Sequence, residues 1–195
     1  VEAARAIAEF GRTHHQVFEV WLEIDTDQHR SGLAPEGLAL LEVGRVLAGD
    51  GANSGDSAQG GAWLGGVMTH AGSSYALSTP AALQAMAEQE RSGCVRAAER
   101  LRAAGLPCPV VSVGSTPTAL SARQLDGVTE VRAGVYVFFD LVMANVGVCA
   151  PTDIALSVLT TVIGHQRDKG WALVDAGWMA MSRDRGTQTQ GRDYG

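Results

Sequence analysis

Lysine is almost missing: among 195 residues only Lys169 occurs. It lies in the polar stretch Gln166-Arg167-Asp168-Lys169-Gly170 between two apolar runs, where a hairpin turn belongs. Basic charge is short overall, with 15 Lys+Arg against 21 Asp+Glu, a net charge of −6 and a pI near 5.3. With no Lys/Arg cluster to offset that balance, nucleic acid is disfavoured as a partner. No apolar run reaches the roughly 20 residues that a bilayer span needs, and the first residues lack the basic-then-apolar pattern of a signal peptide. No membrane partner and a cytoplasmic location are therefore expected. Cysteine is also sparse. Cys94, Cys108 and Cys149 are odd in number, far apart and without CxxC spacing, which argues against a disulfide framework or a zinc ribbon and for reduced thiols.

What remains is an ordinary globular composition, 46% hydrophobic and 18% charged. Residues 1 to 10 space Ala3, Ala4, Ile7, Ala8 and Phe10 as a helix, with Gly11 as its stop and no N-cap at its start. Val17 to Ile24 reads as a strand, and a helix follows from Pro35 through Leu47, ending at Gly49. Residues 49–62 are glycine-rich and polar, a flexible connection. Trp63 to Thr69 is the next strand and Pro80 to Gly105 a long helix, with Leu83, Met86, Val95, Ala98 and Leu101 as its apolar positions. Further strands are expected over 109–113, 128–132 and 135–139. The alternation predicts an α/β fold with parallel strands. From Ala155 to Ile163 and Trp171 to Val174 the pattern changes to two apolar strands joined by a short polar turn, which predicts an antiparallel start to a second, β domain. The tail from Ser182 to Gly195 is expected to be too polar to complete one.

In parallel α/β folds ligands lie at the C-terminal ends of strands. The segments there are residues 25–32, 69–75, 112–118 and 132–136, each with glycine plus hydroxyl, imidazole or guanidinium groups. Gly114-Ser115-Thr116 offers amides and hydroxyls to a phosphate, and Gly134 would let a second loop approach as closely; tight turns are the plainer alternative for either. Arg30 is the cation best placed for a cofactor ring or carboxylate, with Asp25 to fix its fork, or else a solvated loop arginine. His70 is a candidate proton carrier, or a structural histidine bonded to a loop carbonyl. Tyr75 can offer a phenol to a phosphate oxygen, or simply pack. Asp175 and Asp184, with Arg183 and Arg185 nearby, suggest a charged turn more than a metal or substrate site.

Taken together, EIDTDQHRSGL (23–33), GVMTHAGSSYAL (66–77), VSVGSTPT (111–118), EVRAGVYVFFD (130–140) and ALVDAGWMAMSRDRG (172–186) resemble, in this order, the D-serine dehydratase / D-threonine aldolase-like family. The resemblance implies a TIM-type (β/α) barrel of the alanine-racemase kind over residues 1–150, incomplete here, and the start of a C-terminal β domain over 151–195. It further implies pyridoxal 5'-phosphate as cofactor, a divalent metal (zinc or manganese), a homodimer, and a D-amino acid as substrate. Tyr75, Thr116 and Gly134 match cofactor-contacting positions, with the backbone of Val135 beside them. Met68 and Val135 depart from the tyrosine and asparagine common in the family, and a methionine cannot supply a phenol. The family's Schiff-base lysine falls upstream of residue 1 and its metal ligands downstream of Gly195, so Lys169 matches neither. The expected function is a lyase acting on D-β-hydroxy amino acids as part of a longer chain. The alternatives are a non-catalytic pyridoxal-phosphate-binding or interaction protein, and an unrelated phosphate-binding barrel.

Overall fold

Strand order distinguishes a barrel from an open, doubly wound sheet, because a doubly wound sheet reverses direction at a switch point while a barrel adds strands in sequence. In the computed structural model, which describes residues 1–49 and 61–182, four parallel strands run in the order β1-β2-β3-β4: Phe18–Glu23, Ala62–Met68, Val110–Val113 and Glu130–Val131. No reversal occurs. The sheet has the topology of one arc of a barrel, as the loop motifs implied. Helices α1 (Glu2–His14), α2 (Leu38–Ala48) and α3 (Pro80–Ala103) pack on it. They share one hydrophobic cluster with β1–β3, including Ala8, Leu22, Leu40, Leu64, Val67, Leu101 and Val111.

The chain divides into two compact units, residues 1–74 with 80–134, and residues 75–79 with 135–195. The first holds the parallel sheet. In the second, α5 (Leu141–Val146) is capped by Asp140, whose Oδ1 accepts the Met143 N–H at 2.8 Å. Strands β5 (Val162–Gln166) and β6 (Trp171–Val174) form an antiparallel hairpin. Its turn contains Lys169, as the sequence predicts, with Nζ 4.7 Å from the Trp171 ring centroid.

Four expectations need correction. Helix α1 does not stop at Gly11 but continues to His14, and His15 in the left-handed conformation ends it. Gly11 serves packing instead, since a Cβ there would lie 2.0 Å from the Gly61 carbonyl oxygen. The strand expected over 135–139 is a 3-10 turn, Val135–Val137, closed by Phe138 and Phe139 amides donating to the Val135 carbonyl. The strand expected from Ala155 begins only at Val162, because β6 is four residues long and pairs no farther than Val162. A six-residue helix α4, Thr116–Ser121, occupies what looked like loop. The glycine-rich connection lies mostly outside the described residues, as do Arg183, Asp184 and Arg185.

Candidate functional site

The tips of β1, β2, β3 and β4 are joined by side chains from each turn. Asp25 ends β1 by folding its own loop, its Oδ1 accepting the amides of Asp27 at 3.3 Å and Gln28 at 2.7 Å. That occupies the carboxylate expected to hold Arg30. Asp27 reaches the next loop and accepts the Ser73 N–H at 2.8 Å, while Thr26 and Thr69 share a hydroxyl bond of 2.9 Å.

Arg132, just past β4, spans the sheet edge: its Nε donates to Ser112 Oγ at 2.7 Å, and a terminal nitrogen donates to the Thr69 carbonyl. The Ser112 hydroxyl in turn donates a hydrogen bond to Glu130 Oε1 at 2.6 Å. Three strands are thus laced by one guanidinium. The sequence reading placed Arg132 in a candidate loop without giving it a part, since nothing in a single arginine shows that its reach covers two neighbouring strands.

After β3, Gly114 has a φ of +132°, and a Cβ there would lie 2.5 Å from the Arg132 carbonyl oxygen. Only glycine fits that approach without strain. Ser115 then caps α4: its amide donates to Thr118 Oγ1 at 3.1 Å and its Oγ accepts the Thr118 amide at 3.3 Å. Ser74 adds a hydroxyl contact to Ser115 at 3.1 Å. Ser115 and Thr116 are buried. Gly134, by contrast, is open, with nothing within 4 Å of a Cβ built there.

His70 sits among these loops, half-buried. Its pKa is held below the ordinary histidine value, first by burial and then by the charges of Arg30 and Arg132; the Gly114 carbonyl and the Asp27 charge act the other way. His70 thus lies beside the Gly114 carbonyl and near the charges of Arg30 and Arg132. Arg30 itself is exposed and makes no hydrogen bond or ion pair among the described residues. So His70, Arg30, Gly114, Ser115, Thr116 and Gly134 all belong to the first unit, and Tyr75 and Val135 to the second.

Elsewhere the candidate chemistry is structural. Asp175 accepts from the Thr160 hydroxyl at 2.7 Å and the Thr161 amide at 2.9 Å, which closes the β5–β6 hairpin and lowers its pKa. Burial raises the thiol pKa at Cys94, to about 12, and at Cys108, so neither offers a thiolate. The residue missed altogether is Glu90, on the buried face of α3, whose Oε1 accepts the Ala71 amide at 2.8 Å. Its signal was an acid in step with Leu83, Ala87 and Cys94.

Comparison with known proteins agrees with this fold. The family profile of the alanine racemase N-terminal domain matches residues 1–142, and that of a serine dehydratase domain matches 155–195. The chain is 70% identical over its whole length to D-threo-3-hydroxyaspartate dehydratase of Delftia sp. (strain HT23), covering 49% of that protein. It is 30% identical over 87% of its length to D-serine dehydratase of Dictyostelium discoideum, covering 42% of it. The chain thus spans about half the length of these curated relatives. Solved structures of D-threo-3-hydroxyaspartate dehydratase, one from Delftia sp. HT23 and one a variant in the metal-free form, each superpose over the whole chain with a TM-score of 0.88 at 68% identity, covering 49% of the solved chain. D-threonine aldolase from Filomicrobium marinum, at 23% identity, shares the fold with a TM-score of 0.69 over 95% of this chain and 49% of that one. The chain belongs to the alanine racemase N-terminal domain family, with a serine dehydratase domain matched over residues 155–195.

Proposed function

We propose that this chain is part of a pyridoxal-phosphate-dependent lyase that dehydrates D-β-hydroxy amino acids, with a second carboxylate on the preferred substrate as in 3-hydroxyaspartate. The observation that carries the reading is the grouping of His70, Arg30 and Arg132 at the strand tips of a chain 70% identical to a dehydratase of that substrate class. The residues suit a phosphorylated cofactor: two cations, a rim of hydroxyls and amides, and open space at Gly134. When bound, pyridoxal phosphate supplies an electron sink for the amino acid's α-carbon.

The protein's own groups do the rest. Arg30, exposed and without an ion pair among the described residues, is suited to a substrate carboxylate, and Arg132, bonded to Ser112 and Thr69, holds a fixed positive charge that also acts on His70. A neutral His70 can accept or pass a proton near pH 7. Gly114 and Ser115 shape the loop, and Thr116 and Gly134 are the proposed contacts to the phosphate; Tyr75 and the Val135 backbone are proposed on the family resemblance alone. Among the described residues no three His, Cys, Asp or Glu side chains group as metal ligands. A divalent metal, zinc or manganese, is proposed to be held by residues outside this chain, which the metal-free form described for a relative supports. Among the described residues no helix is long and apolar enough to cross a membrane. The same reading carries a homodimer and a cytoplasmic location.

The test uses the full-length protein with pyridoxal phosphate and D-threo-3-hydroxyaspartate, D-serine and D-threonine. Dehydration is expected to release a 2-oxo acid and ammonia, fastest from the dicarboxylic substrate. Glycine and an aldehyde would assign the aldolase reaction instead. Cofactor retained without turnover of any of the three would identify a binding protein, and failure to retain the cofactor would overturn the reading.

A further inference from the structure

Helix α3 turns one acid inward. Leu83, Ala87, Glu90, Cys94, Ala97 and Leu101 line its buried face, and Glu90 is only 2% exposed. A carboxylate in such a place is costly unless donors surround it. The Ala71 amide donates to it at 2.8 Å, and the Gly114 amide and the Thr118 hydroxyl lie on the side that favours its charged form. Ala71 lies in the turn after β2, whereas Gly114 and Thr118 follow β3. One side chain therefore ties two strand tips to the helix behind them. Gly114 lies between the two, lowering the Glu90 pKa on one side and raising that of His70 on the other.

We propose that Glu90 is a positioning residue for His70: by accepting the Ala71 N–H from behind, it fixes the peptide that joins His70 to Ala71 and with it the place of the imidazole beside Gly114. The effect on turnover rests on the dehydratase reading, while the effect on the ring does not. A hydrogen bond to one ring nitrogen selects the tautomer and orientation of a histidine, so a loop free to shift would leave the ring less defined. Burial raises the Glu90 pKa, opposed by the three donors and by Arg132, and Cys94 on the same helix also faces it. The loop contacts should therefore loosen together when Glu90 gains a proton.

Full-length protein labelled uniformly with 15N provides the test, with the His70 signal assigned by its loss in His70→Gln. In the wild type, His70 is expected to show one tautomer, and a pH titration to show a step shared by the His70 ring and the Ala71 and Gly114 amides. Glu90→Gln keeps the shape but replaces one acceptor oxygen with a donor. It is expected to move the His70 ring signals toward a tautomer average, leave the other histidines in place, and lower kcat by about tenfold or more with little change in KM. A purely structural role would instead shift the melting temperature and the histidines together. His70 signals and a pH–rate profile that superpose on the wild type in folded Glu90→Gln would overturn the proposal. Should that variant not fold, a wild-type titration in which the His70 ring fails to follow the two amides would overturn it equally. A folded, inactive wild type in which the ring and amides still titrate together would sink the dehydratase reading and support the positioning role.

Discussion

The two compact units carry similar apolar patterns but hold themselves together differently. In the first, residues 1–74 and 80–134, the apolar side chains of three helices and three strands meet in one cluster, and Leu40, Leu64 and Leu101 are fully buried. In the second, Met143 and Val146 are the buried hydrophobic residues among those described, while Leu159 is 100% and Met179 95% exposed. Its hairpin is kept by the Asp175 contacts to Thr160 and Thr161 and by Lys169 over Trp171. A two-stranded hairpin is marginal in water unless a hydrophobic face is covered. The same run of apolar residues thus makes a sheet where it can bury itself and a short hairpin where it does not.

Truncation in the core gives the largest expected contrast. Leu64→Ala should destabilise the protein by about 2–5 kcal/mol through lost burial and the cavity left behind. Leu159→Ala should change the stability of this 195-residue chain by less than about 0.5 kcal/mol, as surface substitutions do. Urea melts of both variants decide the matter. A large loss at Leu159 would break the comparison.

The two candidate glycines sharpen it within the first unit. Gly114→Ala forces a Cβ against the Arg132 carbonyl at a φ of +132°, and should cost about 1–3 kcal/mol. Gly134→Ala meets nothing within 4 Å. Its melting behaviour should stay near wild type, while affinity for pyridoxal phosphate, read by absorbance titration of the full-length protein, falls about tenfold if the open space receives the cofactor. Equal effects of the two changes on stability would show that Gly134 is as tightly packed as Gly114.

These contrasts also show what was legible in advance. Helix α3 and strands β1, β2 and β3 were read nearly to the residue, because long periodic runs ended by glycine or proline leave few alternatives. Lys169 was placed in its turn by polarity alone. The 3-10 turn at 135–137 was not legible, since a Val-Tyr-Val-Phe-Phe run has strand composition and only the lack of a pairing partner unmakes it. At the site, the loops bearing His70, Arg30 and Gly114 followed from their place after strands. The bonds made by Arg132 and Glu90 did not, because each crosses between segments 18 or more residues apart, and a single sequence holds no record of which segments meet.

The smallest effect concerns the field around His70. Arg30 is exposed and Arg132 bonded, yet both depress the imidazole pKa. Arg30→Gln should raise that pKa toward the ordinary 6.5. A histidine whose folded pKa lies below its unfolded value contributes stability that is complete above the unfolded value and is lost as pH falls through the folded one. Glu90, raised above 4.5, acts in the opposite sense, contributing stability below 4.5 that is lost as pH rises through its folded value. On the acid side of 6.5, then, Arg30→Gln should flatten the fall in stability that His70 causes, by less than about 1 kcal/mol because the guanidinium is in water and salt screens it. Histidine NMR gives the midpoint, and urea midpoints at a series of pH values give the slope. Should the His70 midpoint stay where it is in Arg30→Gln, the depression would come from burial and Arg132 alone, and Arg30 would lose its place in the site.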